Sequence, residues 1–327
     1  MKRRTLRKKA LLNYVMVYCF FTYILFTISY FPLMQTNYKM IEEYEYSDDV
    51  QSCNANSSYA PEWYKIWTFC GQYENGIAID GSNNIYLAGT VDQFGSRDAL
   101  LVKYDSYGSK LWSKSWGDSN SQYGTEVVVS GSSVYMVGRT YSSEGYSDVF
   151  LVKYNTIGTK EWERTWGLQY HHECGDSVAV DGNSIYIAGG AEDKMFLIKY
   201  NSEGTKLWER TWKLNEFVTW TYSCDVTVDN NHNIYVAGGF NPINDAFLIK
   251  YDSAGTKIWN VTWGGSDYDY ATGVAVDNNN KIYITGAYSY TQTFFVKYDS
   301  LGNVAVSYTH LRAHETSLHL VCRLLLE

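Results

Sequence analysis

Three signals are missing from this sequence, and each absence removes a class of function. There is no Ser-His-Asp order, no glycine-rich phosphate loop and no paired-cysteine metal motif. Nucleophilic triads, nucleotide sites and structural zinc sites are therefore not announced. Positive charge is scarce as well. The formal net charge is −8, and Lys2, Arg3, Arg4, Arg7, Lys8 and Lys9 lie within the first nine residues. Without those six the remainder stands at −14, which excludes nucleic acid as a natural partner. Cysteine is limited to six residues, of which Cys53, Cys70, Cys174 and Cys224 fall in the credible body of the protein. Four thiols allow three pairings. Cys174 and Cys224 occupy nearly the same place in adjacent repeats and are the expected disulfide, with buried thiols as the alternative.

What is present is one phrase repeated five times. Its best-preserved copy reads FLIKYDSAGTKIWNVTWGG from Phe247 to Gly265, followed by TGVAVDNNNKIYITG from Thr272 to Gly286. The Lys-Tyr pair recurs at Tyr104, Tyr154, Tyr200, Tyr251 and Tyr298, at spacings of 50, 46, 51 and 47 residues. Periodicity on this scale belongs to solenoids and propellers. Of the 327 residues, 45% are hydrophobic and 17% aromatic, enough to bury a large core. Tyr and Trp dominate the aromatics, which suits half-buried strands and contact surfaces.

Each repeat resolves into four short strands. The first is a run such as GVAVD (Gly273 to Asp277), the second KIYITG, the third FFVKYD and the fourth KIWNVTW. Their β-branched and aromatic residues, punctuated by Asp, Asn and Gly, mark strands. Gly108, Gly158, Gly204, Gly255 and Gly302 fall in phase in the last turn, where a short hairpin loop needs a positive φ. Four strands per unit with no helix between them predict an all-β protein, a β-propeller of four-stranded antiparallel blades. Near-continuous apolar runs such as Ala99-Leu100-Leu101-Val102 fit sheets covered on both faces. Trp63 to Phe69 matches a fourth strand and is placed to complete the last blade.

Ahead of the repeats, Ala10 to Met34 contains no charge. At about 1.5 Å per residue it spans a hydrocarbon core of roughly 30 Å with some tilt. It exceeds the apolar core of a signal peptide, and no A-x-A-like site follows it. Residues 1–35 thus read as a basic cytoplasmic end and a single transmembrane helix, an uncleaved anchor. The basic cluster keeps the N-terminus inside and sends the rest out. Residues 36–62, with Glu42, Glu43, Glu45, Asp48 and Asp49, read as an acidic stalk. Asn56-Ser57-Ser58 and Asn260-Val261-Thr262 fit the glycosylation sequon.

AVDNNNKIYITG and its in-phase relatives resemble the bacterial and archaeal β-propeller repeat called SBBP, from about Trp63 to Ala305. The resemblance implies a propeller on exported or surface proteins and implies no single activity. Kelch repeats are a weaker match: the glycine pair occurs at Gly189-Gly190 and Gly238-Gly239 but not in the other repeats. The D-x-x-G-x-x-x-W phrase resembles that of quinoprotein propellers, whose Trp docks blade to blade. Beyond the repeats, VSYTHLRAHETSLHLVCRLLLE (residues 306–327) has Val306 where the phrase wants Trp. It resembles a translated sequencing adapter and is set aside as non-native, with His310, His314, His319 and Cys322. The native ring is then expected to hold more than five blades.

In such a blade the first-to-second and third-to-fourth turns share one face. The second-to-third loops and the crossings to the next blade lie on the other, and this second set varies; the crossings read GDSNSQYGT from Gly117, GLQYHHECGD from Gly167, KLNEFVTWTYS from Lys213 and GSDYDYAT from Gly265. Variable loops on a rigid scaffold are where binding resides. Trp220, Tyr222, Tyr268, Tyr170 and Phe217 are the candidate stacking contacts. Glu126, Asp176 and Asp225, near the start of first strands, are the candidate acids at a channel mouth, where Ca²⁺ is conceivable as a cofactor. The recurring lysines (Lys103, Lys153, Lys199, Lys250, Lys297) and tryptophans read as packing. His171-His172-Glu173-Cys174 looks metal-like, but neighbours on an extended chain point opposite ways, so no metal site is assigned. The composite reading is a membrane-anchored, extracellular binding or adhesion module for a glycan or protein, with no catalytic residues assigned. A polysaccharide hydrolase or lyase using Glu126, Asp176 or Asp225, and a structural envelope component, are the alternatives.

Overall fold

The computed structural model describes residues 76–93, 96–168, 170–242, 245–265, 269–288 and 292–311. The expected anchor and stalk, Trp63 to Phe69 and residues 312–327 lie outside these. Among the described residues no helix is long and apolar enough to cross a membrane. The chain divides into two units, Met1–Ala60 and Pro61–Glu327, and every described residue belongs to the second.

That unit is built of five four-stranded antiparallel sheets. The first contains β1 (Ile77–Ile79), β2 (Ile85–Gln93), β3 (Ser96–Tyr104) and β4 (Lys110–Trp116). The second contains β5 (Gln122–Ser130), β6 (Ser133–Tyr141), β7 (Ser147–Asn155) and β8 (Lys160–Trp166). The third has β9 (Glu173–Asp181), β10 (Ser184–Ala191), β11 (Lys194–Asn201) and β12 (Lys206–Trp212). The fourth has β13 (Trp220–Val228), β14 (Ile234–Asn241), β15 (Ala246–Tyr251) and β16 (Lys257–Trp263). The fifth has β17 (Asp269–Val276), β18 (Ile282–Tyr288), β19 (Gln292–Tyr298) and β20 (Val304–Leu311). Strand order follows chain order in every sheet, and the first strands of successive sheets neighbour one another. This is the arrangement of blades in a β-propeller.

Alternating side chains serve two interfaces at once. In β6, Val134 and Met136 join the core shared with the first blade, while Tyr135 and Val137 join the core shared with the third. The same split recurs down the chain and gives four inter-blade cores among the described residues. A fully buried Phe or Leu contributes about 1.5–3 kcal/mol, so each interface carries substantial apolar stabilisation. The preceding face of the first blade is different. Ile77 is 60% exposed, whereas its equivalents Val127 and Val178 are buried, and Ile79 is 61% exposed where Val129 and Val180 are half-buried.

The recurring polar residues are inter-blade fasteners. Lys103 Nζ and Trp112 Nε1 both donate to the Thr156 carbonyl in the next blade, at 3.0 and 3.2 Å. Lys153 and Trp162 repeat this on Ser202, and Lys250 and Trp259 on Ser300. The in-phase glycines adopt φ between 76° and 88°, and a Cβ on Gly158, Gly204 or Gly255 would press on the indole of the preceding blade. Glycine is therefore required twice, by the turn and by the docking tryptophan. A second tryptophan set packs on phenylalanines: Trp116 on Phe150 and Trp263 on Phe294 at 4.3 and 4.2 Å.

β20 extends into the segment set aside as non-native. Val306 pairs with Lys297 in the register where Trp259 pairs with Lys250. An outer strand is held by its backbone, which valine satisfies as well as tryptophan.

Candidate functional site

The crossings share a frame. Gln122, Glu173, Thr221 and Asp269 occupy equivalent positions at the start of β5, β9, β13 and β17, and all four are buried. Two of them visibly pin the loop before them. The Asp118 amide donates to Gln122 Oε1, and Gln122 Nε2 donates to Asp118 and Thr140. The Gly265 amide donates to Asp269 Oδ2 at 2.7 Å. Asp98, Asp148 and Asp245 face these crossings, and Gly117, Gly167 and Gly264 leave room for them because a Cβ would collide with the carboxylate.

Glu173 departs from this pattern. It is 1% exposed, and neither carboxylate oxygen makes a well-aligned hydrogen bond, although the Leu168 amide is close enough to stabilise the charged form. Burial raises its pKa to about 7; the nearby Leu168 amide and His171 oppose this, while Asp148 and Glu192 add to it. A buried acid without well-aligned hydrogen bonds is costly, so one in a native fold calls for a reason.

Above Glu173 lies an aromatic crest. Tyr146 meets Tyr170 edge-on at 5.6 Å and His172 at 5.3 Å. His171 Nδ1 lies 3.1 Å from Glu192 Oε2. Tyr170 and Glu192 both hold positive φ, 65° and 51°. The other non-glycine residues of this kind, Asn83, His232 and Asn280, sit in the first-to-second turns, where the hairpin demands it. Glu192 likewise sits in a tight hairpin, between β10 and β11, so among the described residues Tyr170 is the positive-φ non-glycine residue found in a crossing, a pointer to function.

The flanking crossings are organised otherwise. Between the third and fourth blades, buried Val218 and half-buried Leu214 anchor the loop in the core. Phe217 and Trp220 are left 79% and 43% exposed. The Thr221 amide donates to the Glu192 carbonyl at 2.7 Å, tying this loop to the crest. Between the first and second blades, Arg97 Nη1 donates to the Tyr123 hydroxyl at 2.7 Å. The guanidinium groups of Arg97 and Arg139 lie 5.6 and 4.9 Å from the Tyr123 ring centre.

The sequence-derived candidates distribute unevenly over this surface. Tyr170, Phe217 and Trp220 are exposed on the variable crossings. Tyr268 and the side chains of Tyr222 and Cys224 lie outside the described residues, so the Cys174–Cys224 pairing does too. The three acids do not share one phase. Glu126 and Asp225 are equivalent, but Asp176 sits one residue earlier, in the bulge that also holds Thr125 and Thr272. Asp225 is a staple: Ser177 Oγ and the Val226 and Val274 amides all donate to it at 2.8 Å, joining three blades. Burial raises its pKa, and those bonds oppose the rise. The His171-His172-Glu173 string diverges to Glu192, to Tyr146 and into the interior. Among the described residues no group of three or more His, Cys, Asp or Glu side chains is placed to hold a metal ion. Tyr146, Asp148 and Glu192 escaped sequence reasoning because they come from other loops and meet the crossing only in space.

No protein-family model and no curated protein matches the chain. Solved structures do. A protein from Lactobacillus plantarum aligns at 13% identity with a TM-score of 0.51, covering 71% of this chain and 69% of that one. A protein of unknown function from Bacteroides caccae aligns at 11% identity with a TM-score of 0.49, covering 72% and 81%. A subtype N10 neuraminidase-like protein of A/little yellow-shouldered bat/Guatemala/060/2010 aligns at 10% identity with a TM-score of 0.48, covering 73% and 81%. The likeness to the Lactobacillus protein concerns the fold alone.

Proposed function

We propose that the chain is an exported, membrane-anchored β-propeller that acts as a binding or adhesion module, engaging a glycan or protein through the face of its variable crossings. The fasteners repeat from blade to blade and account for cohesion, which leaves recognition to the crossings. One observation carries the reading: exposed Tyr170, at positive φ, packs on Tyr146, which also meets His172, beside the buried acid Glu173. The acidic stalk and apolar N-terminal segment fit display outside the cell. Trp63 to Phe69, as a velcro strand, and further blades would close the ring.

The test is a glycan and peptide array probed with the full chain in detergent micelles. Retained probes that are lost on Tyr170→Ala support binding by this face. An array without signal, alongside turnover of a polysaccharide, reverses it. The observation favouring that hydrolytic alternative is the raised Glu173 beside Asp148, a pairing used for acid–base work on glycosides.

A further inference from the structure

The crossings between the first and second blades and between the second and third are built from the same parts, with one difference. Both present tyrosines on the variable face. In the former, the chain supplies its own cations: Arg97 and Arg139 lie over Tyr123, and Arg139 also lies 5.8 Å from Tyr141. In the latter, the rings of Tyr146, Tyr170 and His172 are accompanied by Asp148, Glu173 and Glu192. Among the described residues no lysine or arginine bonds to, or stacks on, any of these six. The Glu192 carboxylate faces the His171 imidazole rather than a lysine or arginine. Glu173 adds a second, independent anomaly, a carboxyl group nine-tenths buried and without a well-aligned hydrogen bond at the base of the crest.

From this we infer that the crest takes a cationic side chain, lysine or arginine, from a basic segment of a partner protein. The ring faces supply cation–π attraction, and the carboxylates supply a negative charge that no lysine or arginine among the described residues offsets. Arg139 over Tyr123 shows the geometry in miniature, with the cation covalently part of the protein. The inference rests on the binding reading above and narrows its ligand. Strong net negative charge on the repeats steers a basic partner toward this face. Binding weakens as salt rises, since the carboxylates are only partly screened from solvent.

The probe is a fluorescein-labelled arginine-rich dodecapeptide, titrated into the full chain in micelles at low and physiological salt. Its charge-reversed glutamate counterpart and an amino-sugar oligosaccharide serve as comparators. Expected is saturable binding of the basic peptide, weakened about tenfold by Tyr170→Ala and by Glu192→Gln and unchanged by Tyr107→Ala, an exposed ring in the third-to-fourth turn of the first blade. Circular dichroism of each variant guards against loss of fold. Equal binding to all variants overturns the inference, because the peptide is then held elsewhere. Binding of the oligosaccharide but not the peptide also overturns it and leaves the binding module standing. Silence from both, together with an empty array, removes the inference and the binding reading alike.

Discussion

Gln122 and Glu173 occupy the same place in successive blades, and the contrast between them separates scaffold from function. Gln122 is buried and makes hydrogen bonds through both ends of its amide. Its crossing also neutralises its own aromatics with Arg97 and Arg139. Glu173 is buried to the same degree, yet its oxygens make no well-aligned hydrogen bond, and Tyr170 in its loop holds a positive φ. One crossing bonds its buried amide and covers its rings with arginines. The other keeps a charge, a strain and three rings in waiting. Folds satisfy their polar groups unless something else is being served, so the incomplete crossing is where to look.

Both crossings stand on the same kind of core, and that equality can be broken first. Phe150 packs beneath Trp116 and Phe196 beneath Trp166, each fully buried. Phe150→Ala and Phe196→Ala should each destabilise by about 3–5 kcal/mol, read by urea denaturation. Costs differing by more than about 2 kcal/mol would mean the two interfaces are not the equivalent units described above.

Exchanging the distinguishing residues should have the next largest effect. The folded pKa of Glu173, about 7, lies above the ordinary value of 4.5, so the folded state holds this proton more tightly. That contribution is fully present below about pH 4.5 and is lost as pH rises through about 7. Glu173→Gln should therefore remove a pH-dependent loss of up to about 3 kcal/mol and stabilise the protein at pH 8. The reciprocal Gln122→Glu should import the same pH dependence into the neighbouring crossing. Denaturation midpoints for wild type and both variants between pH 4 and 8 decide the matter. A Glu173→Gln profile parallel to that of wild type would show that Glu173 is not the titrating group.

How much of this was legible in the sequence depends on what each feature needs. The blades were legible because their period, turn glycines and docking tryptophans are local and recur. Asp176 reads in phase with Glu126 and Asp225, but it is the bulge residue of β9 and Ser177 takes their place; a bulge leaves no mark in an apolar pattern. Tyr170 was visible as an aromatic in a variable crossing. Its partner Tyr146 and the acid Glu192 sit in second-to-third loops of different blades, and nothing linear joins them. The burial of Glu173 was hidden by its setting between two histidines and a cysteine, where it resembled an exposed polar string.

The smallest expected effect sharpens the comparison from the completed side. Arg97 is about one-third exposed, donates to Tyr123 and pairs with Asp92 at 3.1 Å. Surface contacts of this kind contribute little, so Arg97→Gln should barely move the denaturation midpoint. Its interest lies in what it uncovers. With one of its two guanidinium groups gone, Tyr123 becomes partly available to a cation from outside. The same arginine-rich peptide should then gain a second, weaker site that Tyr123→Leu abolishes, while the Glu173 crossing binds as before. If Arg97→Gln leaves peptide stoichiometry unchanged at saturating concentration, the arginine is only a surface contact. The likeness drawn between an internal cation and an external one would then lose its footing.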